Sequence, residues 1–91
     1  GHTFHITIRI EGPINKKNDF VMDFYDIDKI FNKSVFNLLD HKYLNDIKGL
    51  ESPTTENLAK WIWNKLVKML PILKEVNVFE NDVYGCVYKG D

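Results

Sequence analysis

The sequence predicts an α+β domain in which a four-stranded antiparallel sheet carries two helices on one face. Segments with a two-residue hydrophobic period lie near both ends of the chain, and two segments with a helical period lie between them. The resulting order is strand, strand, helix, helix, strand, strand, which is typical of helices packed on one side of an antiparallel sheet. A chain of 91 residues has room for one domain, over residues 1–91.

Composition and charge exclude several classes of protein. Hydrophobic residues make up 44% of the chain and charged residues 27%, which is too apolar for a disordered protein. A formal net charge of -1 argues against nucleic acid as a partner. No apolar run approaches the ~18 residues of a membrane span, and the first residues lack the charged-then-apolar pattern expected of a signal peptide. The single cysteine suits a reducing compartment, so we expect a cytoplasmic protein without membrane partners.

The first half of the chain predicts a strand, a returning strand and a helix. Residues 2–11 alternate strictly, and Gly12-Pro13 ends the pattern. Phe20-Val21-Met22 is a short apolar run that we interpret as the returning strand of a hairpin. Asp23 is suited to cap a helix over residues 24–39. The apolar stripe of that helix consists of Phe24, Ile27, Ile30, Phe31, Val35 and Leu38.

The second half predicts a long loop, a helix and two strands. The loop covers residues 40–53, a length that is often functional. The second helix begins near Thr54 and is stopped by Pro71. Residues 75–80 and 83–89 predict strands joined by a hairpin at Asn81-Asp82. The stripe of the second helix consists of Leu58, Ala59, Ile62, Leu66, Met69 and Leu70, widened by Trp61 and Trp63.

Four residues are candidates for chemistry. His2 lies on a strand, where a histidine two positions away would share its face and chelate zinc, but His5 lies on the opposite face. His2 could equally be an ordinary strand end. Asp40-His41 follows a helix C-terminus, where a histidine beside a carboxylate is suited to proton transfer, or the pair simply caps the helix. Glu80 ends a strand, where a carboxylate can accept two parallel N–H bonds or remain solvated.

The predicted sheet has open edges, and a domain of this size buries a limited share of its surface. Pairing of edges between copies of the chain would satisfy both needs. We therefore expect a homo-oligomer. Cys86 lies in an apolar strand, and we expect it to act as a small buried hydrophobe rather than as a nucleophile.

Several segments together resemble one enzyme family. Gly1-His2-Thr3-Phe4 resembles half of the zinc-binding His-Gly-His-aromatic motif of the 6-pyruvoyl tetrahydropterin synthases and their bacterial relatives. The further resembling segments are Val21-Met22-Asp23-Phe24, residues 39–46 with their Leu-Asp-His start, residues 53–63 with Pro-Thr-Thr-Glu, Val78-Phe79-Glu80 and residues 85–90. The stretches Tyr-Leu-Asn-Asp-Ile and Gly-Cys-Val-Tyr are most similar to the 6-carboxy-tetrahydropterin synthase branch of queuosine biosynthesis.

The resemblance implies the tunnelling fold, assembled as trimers that stack into a hexamer. It implies an enzyme that converts 7,8-dihydroneopterin triphosphate to 6-carboxytetrahydropterin, acetaldehyde and triphosphate. Zinc would hold the side-chain oxygens of the substrate, with His2 as one of three histidine ligands. Glu80 would anchor the pterin ring, assisted by the backbone at Thr54 and Thr55. Asp40 and His41 would belong to a proton relay.

The resemblance also implies a further N-terminal segment that carries the first strand of the family, the other two zinc histidines and the catalytic cysteine. Cys86 does not match the motif of that cysteine. We expect an N-terminally incomplete domain that is inactive and binds zinc weakly by itself. Two alternatives are a 6-pyruvoyl tetrahydropterin synthase, which eliminates triphosphate from the same substrate, and a catalytically dead module for pterin binding or assembly.

Overall fold

The structure is a computed structural model that describes residues 3–90. Its strands are β1 (His5–Ile10), β2 (Leu73–Phe79) and β3 (Gly85–Tyr88), which form one antiparallel sheet in the order β1-β2-β3. Between β1 and β2 lie α1 (Phe24–Phe31), a π-helical turn (Asn32–Phe36), α2 (Asn37–Leu39), a 3₁₀ turn (Leu44–Asp46) and α3 (Thr55–Leu66). The expected α+β class is confirmed, and the helices cover one face of the sheet.

One face of the sheet forms the core with α3. In register across the three strands, Ile6 is opposite Val78 and Val78 is opposite Cys86, so the alternating apolar residues of each strand point to the same side. The fully buried side chains come from this sheet face, from the helical segments and from the long loop. The largest are Leu50, Leu58, Ile62, Leu66, Leu70, Val35, Val76 and Val78.

The first helical segment begins where the sequence predicts it. The Asp23 carboxylate accepts a hydrogen bond from the backbone N–H of Tyr25 at 2.9 Å, which caps α1. The helical path then continues through the π-helical turn Asn32–Phe36 to Leu39, so the predicted span of 24–39 is helical throughout. The π-helical turn adds one residue to a turn of the helix, and the spacing of the apolar residues in the sequence does not predict it.

The second helix also begins as predicted, but it ends earlier. The Thr54 hydroxyl accepts a hydrogen bond from the N–H of Asn57 at 3.1 Å and caps α3. The helix ends at Leu66, four residues before the predicted end, and Met69 is exposed instead of belonging to the buried stripe. No helix within residues 3–90 is long and apolar enough to cross a membrane.

The prediction of a four-stranded sheet is wrong for the described residues, because residues 20–22 form no strand. The N–H of Asn15 donates to the carbonyl of Phe20 at 2.7 Å, and the N–H of Asp19 donates to the carbonyl of Asn15 at 2.8 Å. These bonds close a compact loop instead of a ladder with β1. Only two residues then remain before the cap at Asp23, which is too few for a strand.

The predicted C-terminal hairpin is present with different bounds. Its turn is longer than the predicted Asn81-Asp82 pair and is closed by a hydrogen bond from the N–H of Glu80 to the carbonyl of Tyr84 at 3.0 Å. Within it, Oδ1 of Asn81 accepts hydrogen bonds from the N–H groups of Val83 and Tyr84 at 2.8 and 2.9 Å. The turn therefore has a defined backbone on both sides of Glu80.

Candidate active site

Asp40 and His41 lie where the first helical segment ends. The N–H of Asp40 bonds to the carbonyl of Phe36 at 2.8 Å, and the chain then turns sharply at His41, whose φ is 57°. A positive φ at a non-glycine residue is uncommon, and here it ends the helix and turns the imidazole outward. Nε2 of His41 lies 3.7 Å from Oδ2 of Asp40, and the His41 side chain is 93% exposed. Imidazole and carboxylate are both groups that serve in proton transfer, and both are accessible here to a molecule placed against them.

A hollow of about 800 Å³ lies beside this pair, and we call it the ring hollow. Asp40, His41 and Tyr43 form one wall. Thr3 and Phe4, just before β1, line it as well. Its apolar lining includes Ile6, Phe31, Val35, Leu39 and Leu58. Of its apolar lining residues, Ile6, Phe31 and Val35 lie outside the segments that resemble the family.

Glu80 is the first residue beyond β2, at the end of the sheet where β1 starts. The register pairs His5 with Phe79 and Phe79 with Gly85, so the start of β1, the end of β2 and the start of β3 meet there. Glu80 is exposed, and its backbone is held by the bond to Tyr84. A carboxylate on such a defined backbone is suited to a ligand that presents two adjacent N–H groups.

Thr54 and Thr55 begin α3 and differ in what they can offer a ligand. The Thr54 hydroxyl caps the helix, and the backbone N–H of Thr54 donates to the carbonyl of Ser52 at 3.0 Å. The Thr55 hydroxyl donates to Glu56 at 2.7 Å, whereas its backbone N–H has no hydrogen-bond partner within the described part of the chain. Of the two residues, Thr55 is thus the one with an unpaired backbone N–H among the described residues, as is usual at a helix start.

These groups lie at the same end of the sheet without lining one cavity. The charge of Glu56 contributes to raising the pKa of Cys86, so the start of α3 lies near the start of β3 and the end of β2. Pro53 and Leu58 border the ring hollow from the same helix start. Asp40 and His41 line that hollow, while Glu80 and Thr55 lie outside its wall.

The predicted zinc ligand His2 lies outside the described residues. Within residues 3–90 no group of three or more His, Cys, Asp or Glu side chains could hold a metal ion. Zinc sites in enzymes use three protein ligands. The described residues therefore do not fit a zinc site, and we derive no chemical step through the metal.

Cys86 lies on the core face of β3, half-buried opposite Val78. Burial raises the pKa of its thiol, and the negative charge of Glu56 raises it further. Both effects favour the neutral thiol at neutral pH, so this side chain is suited to packing and poorly suited to nucleophilic attack.

Comparison with known proteins places this fold and these residues in one family. Residues 1–91 match the sequence profile of the family described as 6-pyruvoyl tetrahydropterin synthase. The chain therefore belongs to the 6-pyruvoyl tetrahydropterin synthase family, as the motifs of its sequence predict.

Three curated relatives illustrate the range of the family. The chain is 35% identical over 96 residues to a 6-pyruvoyl tetrahydrobiopterin synthase of Homo sapiens, covering all of this chain and 66% of that protein. It is 40% identical over 88 residues to a dihydroneopterin monophosphate aldolase of Pyrococcus furiosus, covering 93% of this chain and 73% of that protein. It is 37% identical over 82 residues to a putative 6-carboxy-5,6,7,8-tetrahydropterin synthase of Archaeoglobus fulgidus, covering 90% of this chain and 68% of that protein. The chain thus spans about two thirds of the length of these relatives.

A solved structure confirms the fold. The structure of Caenorhabditis elegans 6-pyruvoyl tetrahydropterin synthase superimposes with a TM-score of 0.89 at 22% sequence identity, over 99% of this chain and 68% of that chain. At this identity the likeness establishes the fold alone.

Proposed function

We propose that the protein acts on 7,8-dihydroneopterin triphosphate as a 6-pyruvoyl tetrahydropterin synthase, eliminating triphosphate from the side chain of the substrate. The family match over residues 1–91 carries this proposal. Relatives with the name 6-pyruvoyl tetrahydrobiopterin synthase, at 32–35% identity, support it further. The sequence motifs favoured 6-carboxytetrahydropterin as the product and a 6-pyruvoyl tetrahydropterin synthase as the alternative. The comparisons favour the alternative.

Different residues of the chain bind the pterin ring and transfer the proton. Glu80 accepts the ring N–H and the exocyclic amine of the pterin through one carboxylate, and the N–H of Thr55 donates to the ring from the helix start. His41, with Asp40 beside it, moves a proton to or from the side chain of the substrate. In this division the anchor and the exposed proton donor lie at the same end of the sheet but do not line one cavity.

The exposure of His41 bears on assembly. A proton relay is most effective where bulk water is excluded, and an imidazole that is 93% exposed has no such shelter in a single chain. We propose that further protein surface covers it when copies of the chain assemble through open sheet edges, as in the tunnelling fold. A hexamer of two stacked trimers is the assembly that the resemblance implies.

The test is turnover of 7,8-dihydroneopterin triphosphate by the full-length protein, followed by product analysis. We expect 6-pyruvoyl tetrahydropterin and triphosphate. The variant His41→Asn should lose about 100-fold or more in kcat, the usual contribution of a positioned proton-transfer group. His5→Asn is the matched control, because His5 is exposed on the sheet face away from the helices. Equal activity of both variants would remove His41 from the reaction.

A second candidate is the 6-carboxytetrahydropterin synthase reaction, which the relative from Archaeoglobus fulgidus favours. Acetaldehyde distinguishes the two reactions, because only this second reaction releases it. Acetaldehyde in stoichiometric yield would replace the first proposal with the second. Pterin binding without either product would identify a catalytically dead module instead.

A further inference from the structure

A second hollow, of about 670 Å³, adjoins the ring hollow, and we call it the lysine hollow. Lys42, Lys48 and Lys65 line it from two different parts of the fold. Lys42 and Lys48 belong to the loop after α2, and Lys65 lies in the last turn of α3. No hydrophobic period or family motif in the sequence connects these three residues.

The charge of this hollow is positive and uncompensated. Asp46 supplies its single lining carboxylate, against the three ammonium groups and the imidazole of His41. Among residues 3–90, Asp40–His41 is the single ion pair within 4.0 Å, so none of the three ammonium groups is paired with a described carboxylate. Lys48 does interact at longer range with Glu51, whose pKa it helps to lower. Clustered, unpaired lysines repel each other, and a bound anion would relieve that repulsion.

The backbone that carries the lysines is fixed before any ligand binds. Nε1 of Trp61, a residue that is 8% exposed, donates to the carbonyl of Lys48 at 3.3 Å and ties the loop to α3. The next residues are held as well, since the N–H of Gly49 bonds to the Glu51 carboxylate at 2.9 Å and Leu50 is fully buried. The ammonium of Lys65 lies 5.3 Å from the centre of the Trp61 ring. Binding an anion therefore orders the lysine side chains but does not have to order the loop backbone.

The two hollows share one wall. His41, Lys42 and Tyr43 border both of them. A ligand whose reacting side chain lies against His41 can therefore extend a charged tail into the lysine hollow. Several ammonium groups spaced around one cavity suit a chain of phosphates better than a single carboxylate, because lysine binds each phosphate as a point charge.

We propose that the lysine hollow binds a polyphosphate chain, and that this chain is the phosphate tail of the substrate whose ring is held by the neighbouring site. The assignment to a substrate tail rests on the proposed function. The binding of a polyphosphate anion does not, because it follows from the lysines and the cavity alone.

Calorimetric titration with inorganic tripolyphosphate tests the anion site. We compare the full-length protein with Lys48→Gln, Lys65→Gln and the double variant. Because each substitution removes one charge-assisted contact, the double variant should bind tripolyphosphate about tenfold or more weakly. Lys60→Gln and Lys68→Gln are matched controls, since both lysines are exposed near Lys65 and neither lines the hollow. An equal loss in the controls, or no loss in the double variant, would overturn the proposal.

Kinetics identify the source of the phosphate chain. The KM for 7,8-dihydroneopterin triphosphate should rise in the double variant, whereas the affinity for 7,8-dihydroneopterin, which lacks the phosphates, should not change. Lost tripolyphosphate binding with an unchanged KM would overturn the assignment to the substrate tail. If the full-length protein turns over no pterin but the double variant still loses tripolyphosphate binding, the proposed function fails and the anion site is supported.

Discussion

At the scale of single residues, the pterin anchor is the sharpest expectation. Glu80 follows β2 on a backbone that the Asn81 side chain and the bond to Tyr84 hold in place. We predict that Glu80→Gln weakens binding of a non-reactive pterin at least about tenfold, since a lost charge-assisted bond costs about 1.5–3 kcal/mol. Titration of wild type and variant measures this. Asp82→Asn, an exposed carboxylate in the same turn, is the control.

Two outcomes would contradict this expectation. Equal pterin affinity of Glu80→Gln and wild type would remove Glu80 from the site. A changed oligomer size in a parallel sedimentation run would assign Glu80 a structural role instead. Because Glu80 lies in an exposed turn, we expect folding and assembly to be unaffected.

Glu51 gives a prediction for acid stability. Hydrogen bonds from its own N–H and from the N–H of Gly49, together with the charge of Lys48, hold the pKa of this carboxyl below its ordinary value of 4.5. A group whose pKa is lowered on folding stabilises the folded state above its unfolded pKa, and this contribution is lost as the pH falls through the folded pKa. Glu51→Gln should therefore be less stable than wild type at pH 7, with a difference that shrinks below about pH 4.5. Urea unfolding at several pH values checks this, and a pH-independent difference would contradict it.

At the scale of elements, sequence patterns predict what depends on local periodicity. The alternation before Gly12 predicts β1, and the caps at Asp23 and Thr54 predict both helix starts, because capping is a local interaction. The strand expected at residues 20–22 is wrong, because three apolar residues do not reveal whether a partner edge is within reach. Strand pairing is set by tertiary structure.

The same limit applies to the candidate site. The family motifs single out Asp40, His41 and Glu80 from the sequence, and the structure shows where these residues lie. It also shows that the Thr54 amide donates to Ser52, whereas the Thr55 amide has no partner among residues 3–90. The three lysines of the lysine hollow could not be predicted together, since Lys65 approaches Lys48 only through the packing of Trp61 against the loop.

The close packing of Gly85 against Phe79 in the β2–β3 hairpin gives a prediction for stability. They are directly opposite in register, and a Cβ at Gly85 would overlap Cδ1 of the Phe79 ring. Gly85→Ala should destabilise the protein by about 1–3 kcal/mol, the usual cost of overpacking. Thermal or urea unfolding measures this. Gly12→Ala is the control, because its Cβ would meet Ile72 at 3.4 Å, an ordinary contact.

A second substitution shows whether the clash is the cause. In a Gly85→Ala background, Phe79→Ala should cost less than it does alone, since removing the ring also removes the overlap. Additive free energies of unfolding for the two changes would contradict a direct clash.

At the scale of the whole molecule, the described sheet leaves much of its surface uncovered. β1 and β3 are both edge strands, and the helices cover one face of the sheet. On the other face, Oδ1 of Asn77 is buried without a hydrogen-bond partner among the described residues. Unpaired edges and an unsatisfied buried amide oxygen both favour contact with another protein surface.

We therefore predict that the protein is a homo-oligomer, with a hexamer as the expected size. Val87 is exposed on the open face of the edge strand β3, so Val87→Lys places a charge on an edge strand, which disfavours its pairing with another chain. Sedimentation at micromolar concentration should show an oligomer for wild type and a shift to smaller species for this variant. Asn64→Lys adds the same charge at an exposed position of α3, outside the strands, and should sediment like wild type. A well-folded wild-type monomer would contradict the prediction and would leave His41 without the cover that proton transfer requires.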